Sequence, residues 1–178
     1  MNICVFAGTA AGNNPAFEIA AASLGREIAL RGHTLVFGGG ANGLMGACAR
    51  AVRENGGDVI GVAPRFFDRA GVLFSDCTEL VFTDTIRERK QLMEERSGAF
   101  AALPGGIGTF EEFFEIITLR QLGRHEKRAA VFNVDSYYST LEALVLSASD
   151  NGFLKRPKDE IYRAFDSAAL LVDYLEGK

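Results

Sequence analysis

The 178-residue chain carries 19 Lys and Arg against 23 Asp and Glu, for a net charge of −4, and is 48% hydrophobic. That composition supplies one sizeable core and excludes disorder, while the acidic balance without a basic stripe argues against a nucleic-acid surface and leaves room for a small anion held by one or two arginines. The apolar runs are far shorter than the ~20 residues that span a bilayer, and Met1-Asn-Ile-Cys-Val-Phe lacks a basic leader, so the expectation is a soluble, cytoplasmic protein with no membrane partner.

In chain order, short β-rich runs alternate with longer amphipathic ones. Strands are predicted at Ile3–Ala7, Thr34–Phe37, Asp58–Val62, Glu79–Phe82, Ala99–Leu103 and Ala129–Asn133, with a short one near Ile161. Helices are predicted at Pro15–Arg31, Asn42–Glu54, Thr85–Ser97, Thr109–Leu122, Tyr137–Asn151 and Ser167–Glu176. The alternation is that of βαβ units, and it predicts a single α/β domain: a Rossmann-like open parallel sheet with helices on both faces. One long irregular segment, Pro64–Cys77, is long enough to have a role of its own. Cys4, Cys48 and Cys77 are odd in number and lack CxxC spacing, so they read as buried free thiols rather than metal ligands or a disulfide framework. His33 and His125 are too far apart for a helical metal motif.

Ligands of open α/β sheets sit outside the carboxyl ends of the strands, which directs attention to the βα turns. Three are glycine-rich: Ala7-Gly-Thr-Ala-Ala-Gly-Asn-Asn-Pro15, Phe37-Gly-Gly-Gly-Ala-Asn-Gly-Leu-Met-Gly46 and Pro104-Gly-Gly-Ile-Gly-Thr109. Such turns either let backbone N–H groups approach a phosphate at a helix start or only provide tight turns and close packing. Three of them on one sheet edge favour a nucleotide. No GxGxxG directly follows the first strand, where the turn reads Gly8-Thr-Ala-Ala-Gly12, no acid ends the second strand, which closes Val36-Phe-Gly-Gly, and no GxxxxGK[ST] is present, which favours a mononucleotide.

The third turn runs into Phe110-Glu-Glu-Phe-Phe-Glu115. Thr109 and Glu112 have capping-box spacing, and at 100° per residue Phe110, Phe113, Phe114 and Ile117 gather on one side with Glu111, Glu112 and Glu115 on the other. Carboxylates beside a phosphate cradle would face the hydroxyl-rich sugar, where they also stabilise a developing oxocarbenium ion. Upstream, positions 86, 89, 90 and 93 form a stripe that normally faces the interior, yet two of them are Arg89 and Lys90. They either snorkel from a core edge or turn into a cleft.

Pro104-Gly-Gly-Ile-Gly-Thr-Phe-Glu-Glu112, Arg89-Lys90, Phe37-Gly-Gly-Gly-x-x-Gly-Leu-Met-Gly46, Gln121-Leu-Gly-Arg-His-Glu-Lys127 and Asn133-Val-Asp-Ser-Tyr-Tyr138 span most of the chain in order. Together they resemble the LOG (Lonely Guy) family of cytokinin-activating nucleoside-monophosphate phosphoribohydrolases, long labelled lysine decarboxylases. The resemblance implies a Rossmann-like homodimer that hydrolyses the N-glycosidic bond of AMP or an N6-substituted AMP to free base and ribose 5-phosphate, with no metal or organic cofactor. It implies Arg89 and Glu112 as the catalytic pair, and Gly105, Gly106, Ile107, Gly108 and Thr109 as the phosphate cradle. Glu111 would join the ribose site, Lys90 and Thr118 would be secondary contacts, and Gly39, Gly40, Gly43 and Met45 would touch substrate from the second turn. The first turn departs from that pattern, with Gly8-Thr-Ala-Ala-Gly12 where a serine pair is expected. Pyridoxal chemistry would need a Schiff-base lysine and a partner for the pyridine nitrogen, and Lys90 beside Arg89 shows no such partner. A non-catalytic nucleotide or cofactor carrier on the same fold is the alternative, and Glu112 with Arg89 is what separates the two.

Overall fold

The computed structural model describes residues Met1–Lys178. Seven strands form one sheet in the order β4-β3-β2-β1-β5-β6-β7. They are β1 (Asn2–Phe6), β2 (Thr34–Phe37), β3 (Val59–Pro64), β4 (Glu79–Thr83), β5 (Ala99–Ala102), β6 (Arg128–Phe132) and β7 (Arg163–Phe165), and every pairing is parallel. The chain adds β2, β3 and β4 outward from β1, then crosses over to lay β5 on its other side. That reversal opens a crevice at the carboxyl ends of β1 and β5.

Alternation along the strands decides the two cores. Ile3 and Val5 of β1 face the layer of α1 (Pro15–Leu30), α2 (Gly43–Glu54) and α7 (Ala168–Glu176), whereas Cys4 and Phe6 face α3 (Ile86–Glu95), α4 (Ile107–Gln121), α5 (Ser139–Asp150) and the short α6 (Lys158–Ile161). Helix α1 starts on Asn14, whose side chain accepts from Ala16 N with Pro15 at the first helical position. Cys4 and Cys48 are buried and Cys77 half-buried, all unpaired.

Most elements lie within a residue or two of the expected bounds. The short strand expected near Ile161 forms two residues on, at Arg163–Phe165, and Ile161 itself closes α6. The capping box expected at Thr109 and Glu112 does not form: α4 begins two residues earlier, on Gly106, whose extended backbone serves as the cap. The box is on α3, where Thr85 Oγ1 accepts from Glu88 N at 3.1 Å and Glu88 Oε2 accepts from Thr85 N at 3.1 Å.

Two expected faces also differ. On α4 the buried stripe is Thr109, Glu112, Phe113, Ile116 and Ile117, so the acids divide, with Glu112 turned in and Glu111 and Glu115 turned out. On α3 only Met93 of the 86-89-90-93 stripe is fully buried, and Ile86 is largely exposed. The first departure has a cause on α3: Arg89 reaches across and compensates the carboxylate that α4 turns inward.

Candidate active site

The three glycine turns meet at the carboxyl ends of β1, β2 and β5. Gly8 N donates to Pro104 O at 3.0 Å and Met45 N donates to Gly8 O at 3.2 Å, so the first turn ties the other two together. Between them lies a cleft of about 480 Å³. Its polar floor is Arg89, Glu112 and Thr109, one rim is Gly106, Ile107 and Gly108, and an apolar wall is formed by Met45, Phe67, Val72 and Leu73.

The glycines of the third turn serve two different needs. A Cβ on Gly105 would stand 2.1 Å from Thr109 Oγ1 and 2.8 Å from Gly8 N, so close packing alone demands glycine there. Gly106 and Gly108 face open space, with no protein atom within 4 Å of the position a Cβ would take, and neither has a positive φ. Nothing internal to the fold requires glycine at those two positions. What they leave clear is the approach to the backbone amides at the start of α4, the geometry of an anion site.

Tyr137 and Tyr138 hold this turn from behind. The Tyr137 hydroxyl donates to Gly105 O and the Tyr138 hydroxyl to Leu103 O, the latter at 2.6 Å. Both tyrosines follow a 3-10 turn (Val134–Ser136) in which Asp135 and Ser136 have positive φ, and Asn14 Nδ2 donates to Asp135 Oδ2 at 2.7 Å.

Arg89 Nη2 pairs with Glu112 Oε1 at 2.7 Å, with both side chains almost wholly shielded. Arg89 Nε also donates to Val62 O at 3.3 Å, which fixes the guanidinium plane. Burial raises the Glu112 carboxyl above its ordinary range, and the charge and hydrogen bond of Arg89 oppose that rise without cancelling it. The result is a desolvated carboxylate facing the cleft, one cation beside it. It can accept hydrogen bonds from a sugar and stabilise positive charge on a stretched glycosidic bond.

Of the residues expected here, Gly40, Met45, Arg89, Gly106, Ile107, Gly108, Thr109 and Glu112 line the cleft. Gly105 lies just behind, lining the adjoining hollow with Tyr137. Gly39 turns toward Ala63 and Leu73, and Gly43 packs on the Thr9 backbone. Lys90 pairs instead with Glu111 and Glu115 on the α3–α4 surface. Burial lowers its pKa, but the two carboxylates outweigh this and hold the ammonium above the ordinary lysine value, which is the opposite of a Schiff-base nucleophile. Thr118 lies outside the cleft, exposed on α4 beside an apolar hollow against α5. The thiols are not nucleophiles either, since burial pushes Cys48 up to about 12 and Cys4 well above the ordinary thiol range.

Sequence reasoning did not assign Gly8, Thr9, Gly38, Asn42, Phe67, Val72 and Leu73, which also line the cleft. Gly8, Thr9, Gly38 and Asn42 were in turns already marked as glycine-rich. Phe67, Val72 and Leu73 arrive because the 65–77 segment folds over the second turn: Ala41 N donates to Val72 O and Phe74 N to Gly39 O, each at 2.9 Å, and the buried Phe74 ring meets Phe37 edge-on at 6.3 Å. Phe66, Phe67 and Phe74 are the sequence signal that this segment could shape a pocket, and of the three only Phe74 is buried as its anchor.

Comparison with known proteins is consistent with this geometry. The family described as "Possible lysine decarboxylase" matches residues 45–175. Two Arabidopsis thaliana proteins named cytokinin riboside 5'-monophosphate phosphoribohydrolase are 39% and 40% identical to the chain, each alignment covering 98% of it and 77% and 81% of the relative. Among solved structures, the molybdenum cofactor binding protein of Rippkaea orientalis aligns with a TM-score of 0.72 at 20% identity, over 98% of this chain and 94% of that one. The molybdenum cofactor carrier protein of Chlamydomonas reinhardtii aligns with a TM-score of 0.71 at 22% identity, over 99% and 98%. Those two likenesses establish a shared fold, and the near full-length identity to the plant enzymes establishes kinship: the chain belongs to the LOG family of cytokinin riboside 5'-monophosphate phosphoribohydrolases.

Proposed function

We propose that the protein hydrolyses the N-glycosidic bond of AMP or an N6-substituted AMP, releasing the base and ribose 5-phosphate. The observation that carries this reading is the buried Arg89–Glu112 pair, set beside two glycines that no internal packing requires. In this reading the amides from Gly105 to Thr109 at the start of α4 take the 5′-phosphate. Glu112 accepts from the ribose hydroxyls and stabilises the oxocarbenium character that grows as the C1′–N bond stretches. Arg89 positions that carboxylate and the nucleotide. Water supplies the hydroxyl that ends on C1′ and the proton that ends on the base. The wall of Met45, Phe67, Val72 and Leu73 suits the base and an apolar N6 substituent. Gly39, Gly40 and Gly43 shape the second turn around the same ligand.

Glu111, Lys90 and Thr118 lie too far around α4 and α3 to line the cleft of one chain, and we assign them to a homodimer. The apolar hollow between α4 and α5, lined by Phe114, Ile117, Leu144, Val145 and Leu154 with Thr118 at its edge, is the surface that supports it. Leu144 is exposed there. No helix is long and apolar enough to cross a membrane, and three unpaired cysteines suit a reducing cytoplasm.

A carrier reading draws on the two molybdenum cofactor proteins of the same fold. A carrier has little use for both a desolvated carboxylate and an arginine fixed beside it. Incubation of the purified protein with AMP and with an N6-isopentenyl ribotide, followed by chromatography, tests the choice. Release of adenine or of the substituted base, with none from the corresponding nucleoside, is expected. Tight nucleotide binding without base release from either ribotide would establish the carrier instead.

A further inference from the structure

At the opposite end of the sheet, around the first residues of β6 and β7, lies a second polar hollow of about 330 Å³. Five cations line it, Arg120, Arg128, Arg156, Arg163 and Lys178, against the acids Glu126, Asp159 and Glu160. In a chain of net charge −4 this is a local reversal of sign. The internal pairs do not neutralise it. Arg156 is held by Glu126 through two contacts at 2.8 and 2.9 Å, Lys178 pairs with Glu176 at 2.6 Å, and Asp159 pairs with Lys158 at 3.2 Å. Arg120, Arg128 and Arg163 have no carboxylate partner at all.

These three guanidinium groups are nonetheless held in place. Arg120 donates to Lys127 O at 2.5 Å, while its Nε–H is buried and has no acceptor in the protein. Arg128 donates to Tyr174 O at 2.6 Å, and the guanidinium carbons of Arg128 and Arg163 each lie 5.3 Å from the centre of the Tyr174 ring. Three arginines with no carboxylate in contact, and only Glu160 left unpaired among the lining acids, repel one another. A ligand that brings two or more negative charges and acceptor oxygens to their remaining N–H groups would relieve that repulsion.

We propose that this hollow is a second binding site, for a small anion carrying a pyrophosphoryl or comparable multiply charged phosphate group. The fork of an arginine matches phosphate oxygens, and the concave shape favours a compact ligand over an extended acidic surface. Its place at the amino ends of the strands sets it across the sheet from the cleft, so both can be filled together.

The test is calorimetric titration of the whole protein with inorganic pyrophosphate at low salt. Four proteins are compared: wild type, Arg163→Gln, Arg120→Gln and Gly108→Ala, the last obstructing the amides at the start of α4. Arg163 makes no side-chain hydrogen bond that the fold needs, and circular dichroism checks that each variant is folded. Binding that weakens about tenfold or more in either arginine variant and is unchanged in Gly108→Ala is expected. Absence of binding to wild type at millimolar pyrophosphate, or binding that is indifferent to both arginine variants, would overturn the proposal. Binding lost in Gly108→Ala but kept in the arginine variants would place the anion in the catalytic cleft and equally overturn it.

Discussion

The guanidinium of Arg89 occupies the space that a side chain on Gly38 would need: a Cβ there would lie 2.2 Å from Nη2 and 3.1 Å from Cζ. The obstacle is the far end of a flexible side chain, so Gly38→Ala should fold and displace the arginine from Glu112. We expect turnover of AMP to fall by about 10²-fold or more, as when a preorganised charge is lost, with the unfolding midpoint nearly unchanged. Full activity in a folded Gly38→Ala protein would show that the Arg89 position is not needed.

The Glu112 carboxyl gives a signed dependence on pH. Its pKa is raised in the folded protein, so its ionised form is disfavoured by folding, and that cost is relieved as the pH falls through the raised value. Stability of the wild type relative to Glu112→Gln should therefore increase toward acid pH, while turnover of the wild type should decline over the same range. Urea unfolding and initial rates measured across one pH series check both. A stability difference independent of pH would remove the linkage.

Gly108 is the cleanest probe of the phosphate cradle. It is inside α4, its φ is not positive, and nothing lies within 4 Å of a Cβ placed on it. Alanine there should raise stability by about 0.5–1 kcal/mol through helix propensity while a methyl group obstructs the approach to the amides. The expected outcome is a more stable protein with a raised KM for AMP. An unchanged KM would move the phosphate elsewhere.

The α4–α5 hollow predicts an oligomer-breaking change. Leu144 is 63% exposed at its edge, and Leu144→Glu adds charge without disturbing either core. Light scattering should show a dimer for the wild type and a monomer for the variant. A wild type that is monomeric at micromolar concentration would remove the dimer from the reading.

Local pattern made much of this legible. Thr34–Phe37 and the helix ending at Glu54 are bounded by glycine and carry unambiguous periodicity, and they form as read. Glu112 was legible as a chemically important residue but not as a buried one. Helical period says which residues share a face, whereas the inward turn of this face depends on Arg89, a partner 23 residues upstream on another helix. Thr109 misled for a similar reason. Its spacing to Glu112 mimics a cap, but α4 already starts on Gly106, so Thr109 is inside the helix and packs close over Gly105 at the cleft. The apolar wall from Phe67 to Leu73 depends on backbone bonds between Gly39, Ala41, Val72 and Phe74, and irregular backbone of that kind leaves no periodic trace.

One of the paired tyrosines behind the third turn has an effect on the ligand it never touches. In a trans peptide the carbonyl and the following N–H point in opposite directions, so pulling Gly105 O back toward Tyr137 aims the Gly106 N–H forward. The peptide after Leu103 ends on Pro104, which has no N–H, so the bond from Tyr138 to Leu103 O only anchors the end of the strand, through a fully buried ring. The Gly106 dipole that would meet a phosphate is thus oriented when the chain folds, and an arriving nucleotide need not turn it. A phenol group on the far side of a loop sets the polarity of its near side.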